Sequence, residues 1–487
     1  MTDSSSATVI VGGGFVGLFT ALHLRHRRHS DPVILIDPQA AFVFKPMLFE
    51  LLTAELPESV VCPSYGELLI NSQVEHWPET VTGVDLANQQ VILASERRQH
   101  YDNLVLAVGS VQGYLGTEGA EHHAFAFRSR EEAIALRSHL QACLRQSLET
   151  EDAAERQALL TVAIVGAGPA GVEMAATLAD LLPSWYVPMG GNVHDLKLCL
   201  INHATTILAG DANAHLKTVA LAALNQRTIA VELRLGVGVK AVSERTLTYE
   251  EKGQSDPQTL STYTTIWTAG TAVNPLIKQI SEQLPPEHRD RHGQPVVNPS
   301  LQLLDFPNVF AAGDCVTVQD NPKPALAQIA YQQGAAIAHN LIAQQRNQPL
   351  ITSDPQLRGT LMKLGLGNGV ANLFDKVQID GKVGDLLRNA TYLELLPTPL
   401  HNFKATTQWL EEETIHRFHR FHRPHALTPA DIEQTVLSPE EKRQNAGIKA
   451  IAIIAPLLLL LLVYLGLKTP EAERRPFTPQ PVPTANE

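Results

Sequence analysis

The pattern G-x-G-x-x-G occurs twice, at Gly12-Gly13-Gly14-Phe15-Val16-Gly17 and at Gly166-Ala167-Gly168-Pro169-Ala170-Gly171. One copy alone constrains little, because glycine-rich turns recur by chance. Context makes both copies informative. Each follows a short apolar run, residues 7–11 and 160–165, and each leads into helix-spaced apolar residues: Leu18, Phe19, Ala21 and Leu22, then Val172, Met174, Ala175 and Leu178. In such a strand-turn-helix the first glycine takes the tight bend, the second lets the backbone approach a pyrophosphate, and the third lets helix pack on strand. The helix N-terminus then holds the phosphates. Two nucleotide cofactors are implied, one on each of two Rossmann-like three-layer α/β domains.

Composition narrows the class. With 487 residues and 44% hydrophobic content the chain fills two or three cored domains. Its net charge of −12 argues against a nucleic-acid partner. Cys62, Cys143, Cys199 and Cys315 lie far apart, with neither redox-pair nor metal-ligand spacing, and the N-terminus lacks a signal-peptide core. A reducing compartment and no structural metal are expected.

After the first unit an apolar strand ends at Asp37, twenty residues beyond Gly17, where a carboxylate can take ribose hydroxyls. Strand-like alternation follows at 74–77 and 90–93, then a buried strand over 101–110 passes Ala107 and stops at Gly109. Residues 130–156 form a charged stretch that reads as a solvated linker helix. The second unit closes on the apolar run 264–271, stopped at Gly270. Residues 307–314 then bring a strand, a glycine turn and Asp314.

Four features carry a resemblance: the paired fingerprints; Pro307-Asn308-Val309-Phe310-Ala311-Ala312-Gly313-Asp314; Phe42-Val43-Phe44-Lys45-Pro46-Met47-Leu48-Phe49-Glu50; and Ala327-Gln328-Ile329-Ala330-Tyr331-Gln332-Gln333-Gly334. On these the chain resembles the type II NADH dehydrogenases, single-polypeptide NAD(P)H:quinone oxidoreductases that do not pump protons, over about residues 7–410. The resemblance implies FAD in the first domain, contacted by Gly12, Gly14, Gly17, Asp37, Lys45, Ala107, Gly109, Asp314 (on the ribitol) and Gln328. It implies NADH or NADPH in the second, contacted by Gly166, Gly168, Gly171, Glu173, Asn202 and Gly270, and a quinone channel reaching the flavin from the membrane side. The expected layout is an FAD domain (1–115 and 273–345) split by an NAD(P)H domain (159–272), with a linker helix at 116–158. A C-terminal membrane-associated region (346–430), a transmembrane helix (448–467) and a disordered tail (468–487) follow.

Gln328 and Gln332 are four apart, hence on one helix face among small apolar residues, and are expected to present amides to a quinone carbonyl or flavin edge. Glu173 is expected in the first turn of its helix, where the dipole alone favours a carboxylate. In the resembled family the matching glutamate is thought to help supply protons for quinol formation. Both readings of Glu173 stay open. At the end of the second strand of the nucleotide unit, where an NADH-selective site carries a carboxylate, this chain has neutral Asn202 followed by His203. Donor preference is therefore open.

Residues 450–467 hold no charge and are flanked by basic residues on both sides. With Ile448 and Lys449 they make a helix of about 30 Å, long enough to span a bilayer. This predicts a single-pass C-terminal anchor with the catalytic body facing the cytoplasm. Upstream, Trp409, Phe418 and Phe421 alternate with Arg417, Arg420 and Arg423, as in a helix lying on a membrane or packing on the body. His416, His419, His422 and His425 lack companion ligands for a metal. The leading reading is an FAD-dependent NAD(P)H:quinone oxidoreductase at the membrane, with a quinone as substrate and homodimerisation left open. The alternatives are a sulfide:quinone oxidoreductase-like flavoprotein, which needs a cysteine pair, and a nucleotide-binding redox sensor.

Overall fold

The computed structural model describes residues 7–409, apart from 28, 211–213, 254–255, 358, 374–376, 400 and 408. Strands β1 (Thr8–Val11) and β2 (Val33–Ile36) are buried at every position, which suits runs of β-branched and leucine side chains covered on both faces. They join β3 (Val74–Trp77) and β4 (Asn103–Leu106) in a parallel sheet. The chain then leaves to build a second parallel sheet from β5 (Thr161–Val165), β6 (Lys197–Asn202), β7 (Glu232–Leu235) and β8 (Thr264–Trp267). It returns as β9 (Phe306–Ala311), which pairs in parallel with β4.

In the first sheet β1 lies between β2 and β4, and in the second β5 lies between β6 and β8. Each glycine loop thus leaves the strand at which the order reverses, the place where a crevice opens at the strand ends. The two crossings between sheets are laced together, because Ser110–Gln112 pairs antiparallel with Thr271–Val273.

Helix α1 (Phe15–His26) packs on α5 (Ala327–Gln345) at Gly334, where a Cβ would lie 2.7 Å from the Val16 carbonyl. Between the sheets in sequence come α2 (Leu48–Thr53) and α3 (Arg130–Glu149). The charged stretch expected as a solvated linker instead comprises α3 and a short helix, Ala153–Leu159, started by the Asp152 cap. Leu136, Leu140 and Leu144 are buried beside Phe49 and Leu52 in the core that holds the second sheet. Their four-residue spacing is the apolar stripe that net charge concealed. Each buried leucine is worth about 2 kcal/mol.

Helix α4 (Pro169–Tyr186) follows the second loop, and after α5 the chain forms the antiparallel sheet β10 (Gly359–Lys363), β11 (Gly369–Leu373) and β12 (Val377–Ile379), covered by α6 (Gly381–Glu394). Among the described residues no helix is long and apolar enough to cross a membrane. The predicted span 448–467, the aromatic and histidine-bearing stretch from 410 onward and the tail 468–487 lie outside the described residues.

Candidate active site

The first loop is shaped by contacts that only glycine allows. Gly12 has φ +100°, and a Cβ there would lie 2.5 Å from the Ala107 carbonyl oxygen. A Cβ on Gly17 would lie 1.8 Å from the Gly12 oxygen. Gly14 caps α1 without a side-chain bond, and a Cβ there would meet nothing within 4 Å. The first N–H groups of the helix are therefore approachable, as a phosphate site needs. Asp37 accepts the Gly13 N–H at 2.6 Å and the Gln39 N–H at 2.8 Å.

Gly12, Gly13, Gly14, Asp37 and Gln39 line a cavity of about 1100 Å³, together with Lys45, Ala107, Gly109 and Asp314. Asp314 sits beyond the left-handed turn at Gly313 and accepts the Ser110 hydroxyl at 3.0 Å. The turn is fixed by Gln333, which accepts the Gly313 N–H at 2.9 Å. Gln333 lies inside the glutamine motif, yet motif reading singled out its neighbours. Burial, then the Arg128 guanidinium, lowers the Lys45 pKa, while Asp314 and Glu132 partly offset this. An open helix terminus, a carboxylate at the end of β2 and one at the end of β9 fit a dinucleotide of the FAD type.

The second loop repeats the first. Gly166 has φ +104°, a Cβ on Gly171 would lie 1.8 Å from the Gly166 oxygen, and Gly168 is open. Asn202 takes the place of Asp37, accepting the Ala167 N–H at 3.2 Å, and its Nδ2 donates to the Ala204 and Thr206 carbonyls. Beyond it a cavity of about 840 Å³ is lined by His203, Thr205, Lys240, Glu250 and Lys252. Gly270 does not line that cavity. It has φ +75°, accepts from Gln112 at 3.0 Å and belongs to the crossing between the sheets.

Glu173 is not in the first turn of α4, which holds no acid. It lies one turn further in, because Gly168 caps the helix and Pro169 opens it, so the dipole account does not explain it. The structure turns it, with Ala170, onto the wall of the first cavity. Its Oε1 accepts the Lys363 N–H at 2.8 Å. Burial pushes its pKa up to about 7, against Arg388 and the Lys363 N–H, which lower it.

Beside Glu173 lies a cluster of buried charge that sequence reading missed. Lys363 and Glu50 are each 1% exposed and Arg388 0%. Glu50 Oε1 accepts from Arg388 Nη1 at 2.7 Å and Lys363 Nζ at 3.1 Å, and Lys363 Nζ also meets Glu55. Arg388 Nη2 donates to the Pro46 carbonyl at 2.8 Å, and Tyr392, one turn on, lines the cavity. Burial opposes ionisation of Glu50, yet Arg388 and Lys363 hold its carboxyl down to about 2. A lone lysine inside the apolar run Leu361-Met362-Lys363-Leu364 was the available signal. Buried charge is kept only when paired.

Both glutamines of α5 have backbone partners in the segment that follows the helix. Gln328 Nε2 donates to the Gly359 carbonyl at 2.8 Å. Gln332 exchanges bonds with the backbone of Gln356 at 2.9 and 3.0 Å. Both side chains brace the approach to β10, and the cavity wall is made by Ala327 and Ala330.

Residues 6–334 match the pyridine nucleotide-disulphide oxidoreductase family. The demethylphylloquinone reductase NdbB of Synechocystis sp. is 32% identical over 421 residues, covering 84% of this chain and 97% of that protein. The type II NADH:quinone oxidoreductase Ndh of Mycobacterium tuberculosis is 30% identical over 342 residues, covering 69% and 72%. The chain belongs to the type II NADH dehydrogenases. Its fold agrees: NDH2 of Plasmodium falciparum in complex with NADH superposes with a TM-score of 0.75 at 18% identity, over 84% of this chain and 98% of that one. The sulfide:quinone oxidoreductase of Aquifex aeolicus gives 0.65 at 18% identity, over 80% and 91%, which is a likeness of fold. The four cysteines of this type II chain are buried and not disulfide-bonded. Burial raises the thiol pKa of Cys62, on the cavity wall, and of Cys315, beside Asp314, to about 12 each. Neither is a ready thiolate.

Proposed function

We propose that this protein is a membrane-attached, FAD-dependent NAD(P)H:quinone oxidoreductase, with the cavity lined by the loops that follow β1 and β4 as its reaction chamber. One observation carries the reading. The helix following the second fingerprint delivers Ala170 and Glu173 to the wall of the cavity built by the first. A nucleotide held by the second unit is thereby directed at a cofactor held by the first.

FAD, when bound, supplies hydride acceptance and electron delivery to the quinone. The chain supplies the rest. Gly14 and α1 would take the pyrophosphate, Asp37 the adenosine ribose, and Asp314, oriented by Ser110, the ribitol. Gly168 and α4 would take the phosphates of NADH or NADPH, with Asn202 and His203 near its ribose. Ala327 and Ala330 leave an apolar wall suited to a quinone ring, braced by Gln328 and Gln332. Quinol formation requires protons, and Glu173, whose pKa burial raises to about 7, would hold one. The charge-free run 450–467, long enough in sequence to span a bilayer, supports the membrane attachment.

The test is steady-state reduction of a short-chain quinone by the FAD-loaded, detergent-solubilised chain, with NADH, NADPH and sulfide as separate donors. Nucleotide-driven turnover is expected. Turnover with sulfide and none with either nucleotide would overturn the reading.

A further inference from the structure

Three elements surround Glu173 with charge: α2 and its C-terminal turn bring Glu50 and Glu55, β10 brings Lys363, and α6 brings Arg388 with Asp385 and Tyr392. Two cations thus face two carboxylates, Glu50 and Glu55, and the group is neutral before Glu173 or Asp385 ionises. Glu50 is the member that makes this balance internal. One of its oxygens takes both cations, at 2.7 and 3.1 Å, and its other oxygen has no hydrogen-bond partner among the described residues. Glu55, by contrast, is 36% exposed at its side chain and open to solvent screening. If Glu50 were neutral, Arg388 would be left as a buried cation without its carboxylate, and Glu173 and Asp385 are the remaining acids whose charge reaches it.

We propose that Glu50 is a positioning residue for quinol formation: together with Glu55 its carboxylate balances Arg388 and Lys363 and so leaves Glu173 free to hold a proton. The inference rests on the reading of Glu173 as the proton-holding group of the cavity. It is nonetheless measurable on the resting protein. Burial disfavours any ionisation that adds net charge to the cluster, which raises the Glu173 pKa above that of an exposed glutamate. With Glu50 uncharged, the same burial favours a Glu173 carboxylate as counter-ion.

The experiment is infrared difference titration of the FAD-loaded full chain, following the protonated carboxyl band that E173Q lacks. Wild type, E50Q and E50D are compared. The midpoint of that band is expected to fall by about one pH unit or more in E50Q and to remain near wild type in E50D, which keeps the charge. K363M removes a cation instead and is expected to move the midpoint upward, giving a second reading should E50Q not fold. An unmoved midpoint in E50Q, or a downward shift in K363M, overturns the proposal. Quinone-driven recovery of flavin absorbance, measured against pH on the same samples, separates the two claims. A band that moves while the recovery profile stays fixed upholds the charge coupling and removes Glu173 as proton source.

Discussion

The two fingerprint loops are near copies in backbone and opposites in chemistry at one point. The Gly12 N–H bonds the Ile36 carbonyl at 2.9 Å, and the Gly166 N–H bonds the Ile201 carbonyl at 2.8 Å. In both, the third glycine would collide at 1.8 Å with the oxygen of the first. At the end of the neighbouring strand, however, Asp37 only accepts, whereas Asn202 accepts once and donates twice into its own loop. The loop geometry is therefore a property of the fold, and the polarity at its edge a property of a single side chain. A second asymmetry follows from packing. The second unit lends the α4 residues Ala170 and Glu173 to the cavity of the first, so that cavity is lined by both units.

The strongest test of this equivalence is to fill each third glycine. Gly17→Ala must displace backbone, and the protein is expected to purify without flavin, read by absorbance. Gly171→Ala is expected to keep its flavin and to lose bleaching by either nucleotide. Next comes the borrowed carboxylate. The useful form of Glu173 is the acid, populated below about 7, so quinone-driven recovery should decline as pH rises through that value. Glu173→Gln should abolish this pH dependence and slow recovery about a hundredfold. Asn202→Asp makes the second loop like the first. It should shift the ratio of kcat/KM for NADH over NADPH upward about tenfold, since the new charge repels a 2′-phosphate. The smallest effect is expected from Gln328→Ala with Gln332→Ala. Loss of their braces should slow quinone-driven recovery about fivefold while flavin reduction by nucleotide is retained.

Local rules made much of this legible. Strand, glycine turn and helix are read within a dozen residues, so both Rossmann units and Asp37 and Asp314 were visible in sequence, and the returning strand 306–311 lies in the first sheet. Residues whose role depends on distant chain were not visible. Lys363 and Arg388 acquire meaning only when β10 and α6 close over Glu50, more than 300 positions earlier. Glu173 was found by resemblance, yet its setting is tertiary: a backbone N–H from β10 and burial, not the helix dipole. The apolar stripe of α3 was hidden by its charge. The two glutamines were read from their shared helix face, and the partners their side chains meet, Gly359 and Gln356, lie beyond that helix.

The most direct test of one chamber served by two sites is anaerobic double-mixing stopped flow on the FAD-loaded chain. NADH or NADPH is mixed first, and a short-chain quinone second, with flavin absorbance as the signal. The account predicts bleaching by nucleotide followed by full recovery on quinone, with deuterium at the nicotinamide C4 slowing the first phase and leaving the second unchanged. Bound flavin that neither nucleotide bleaches would contradict it.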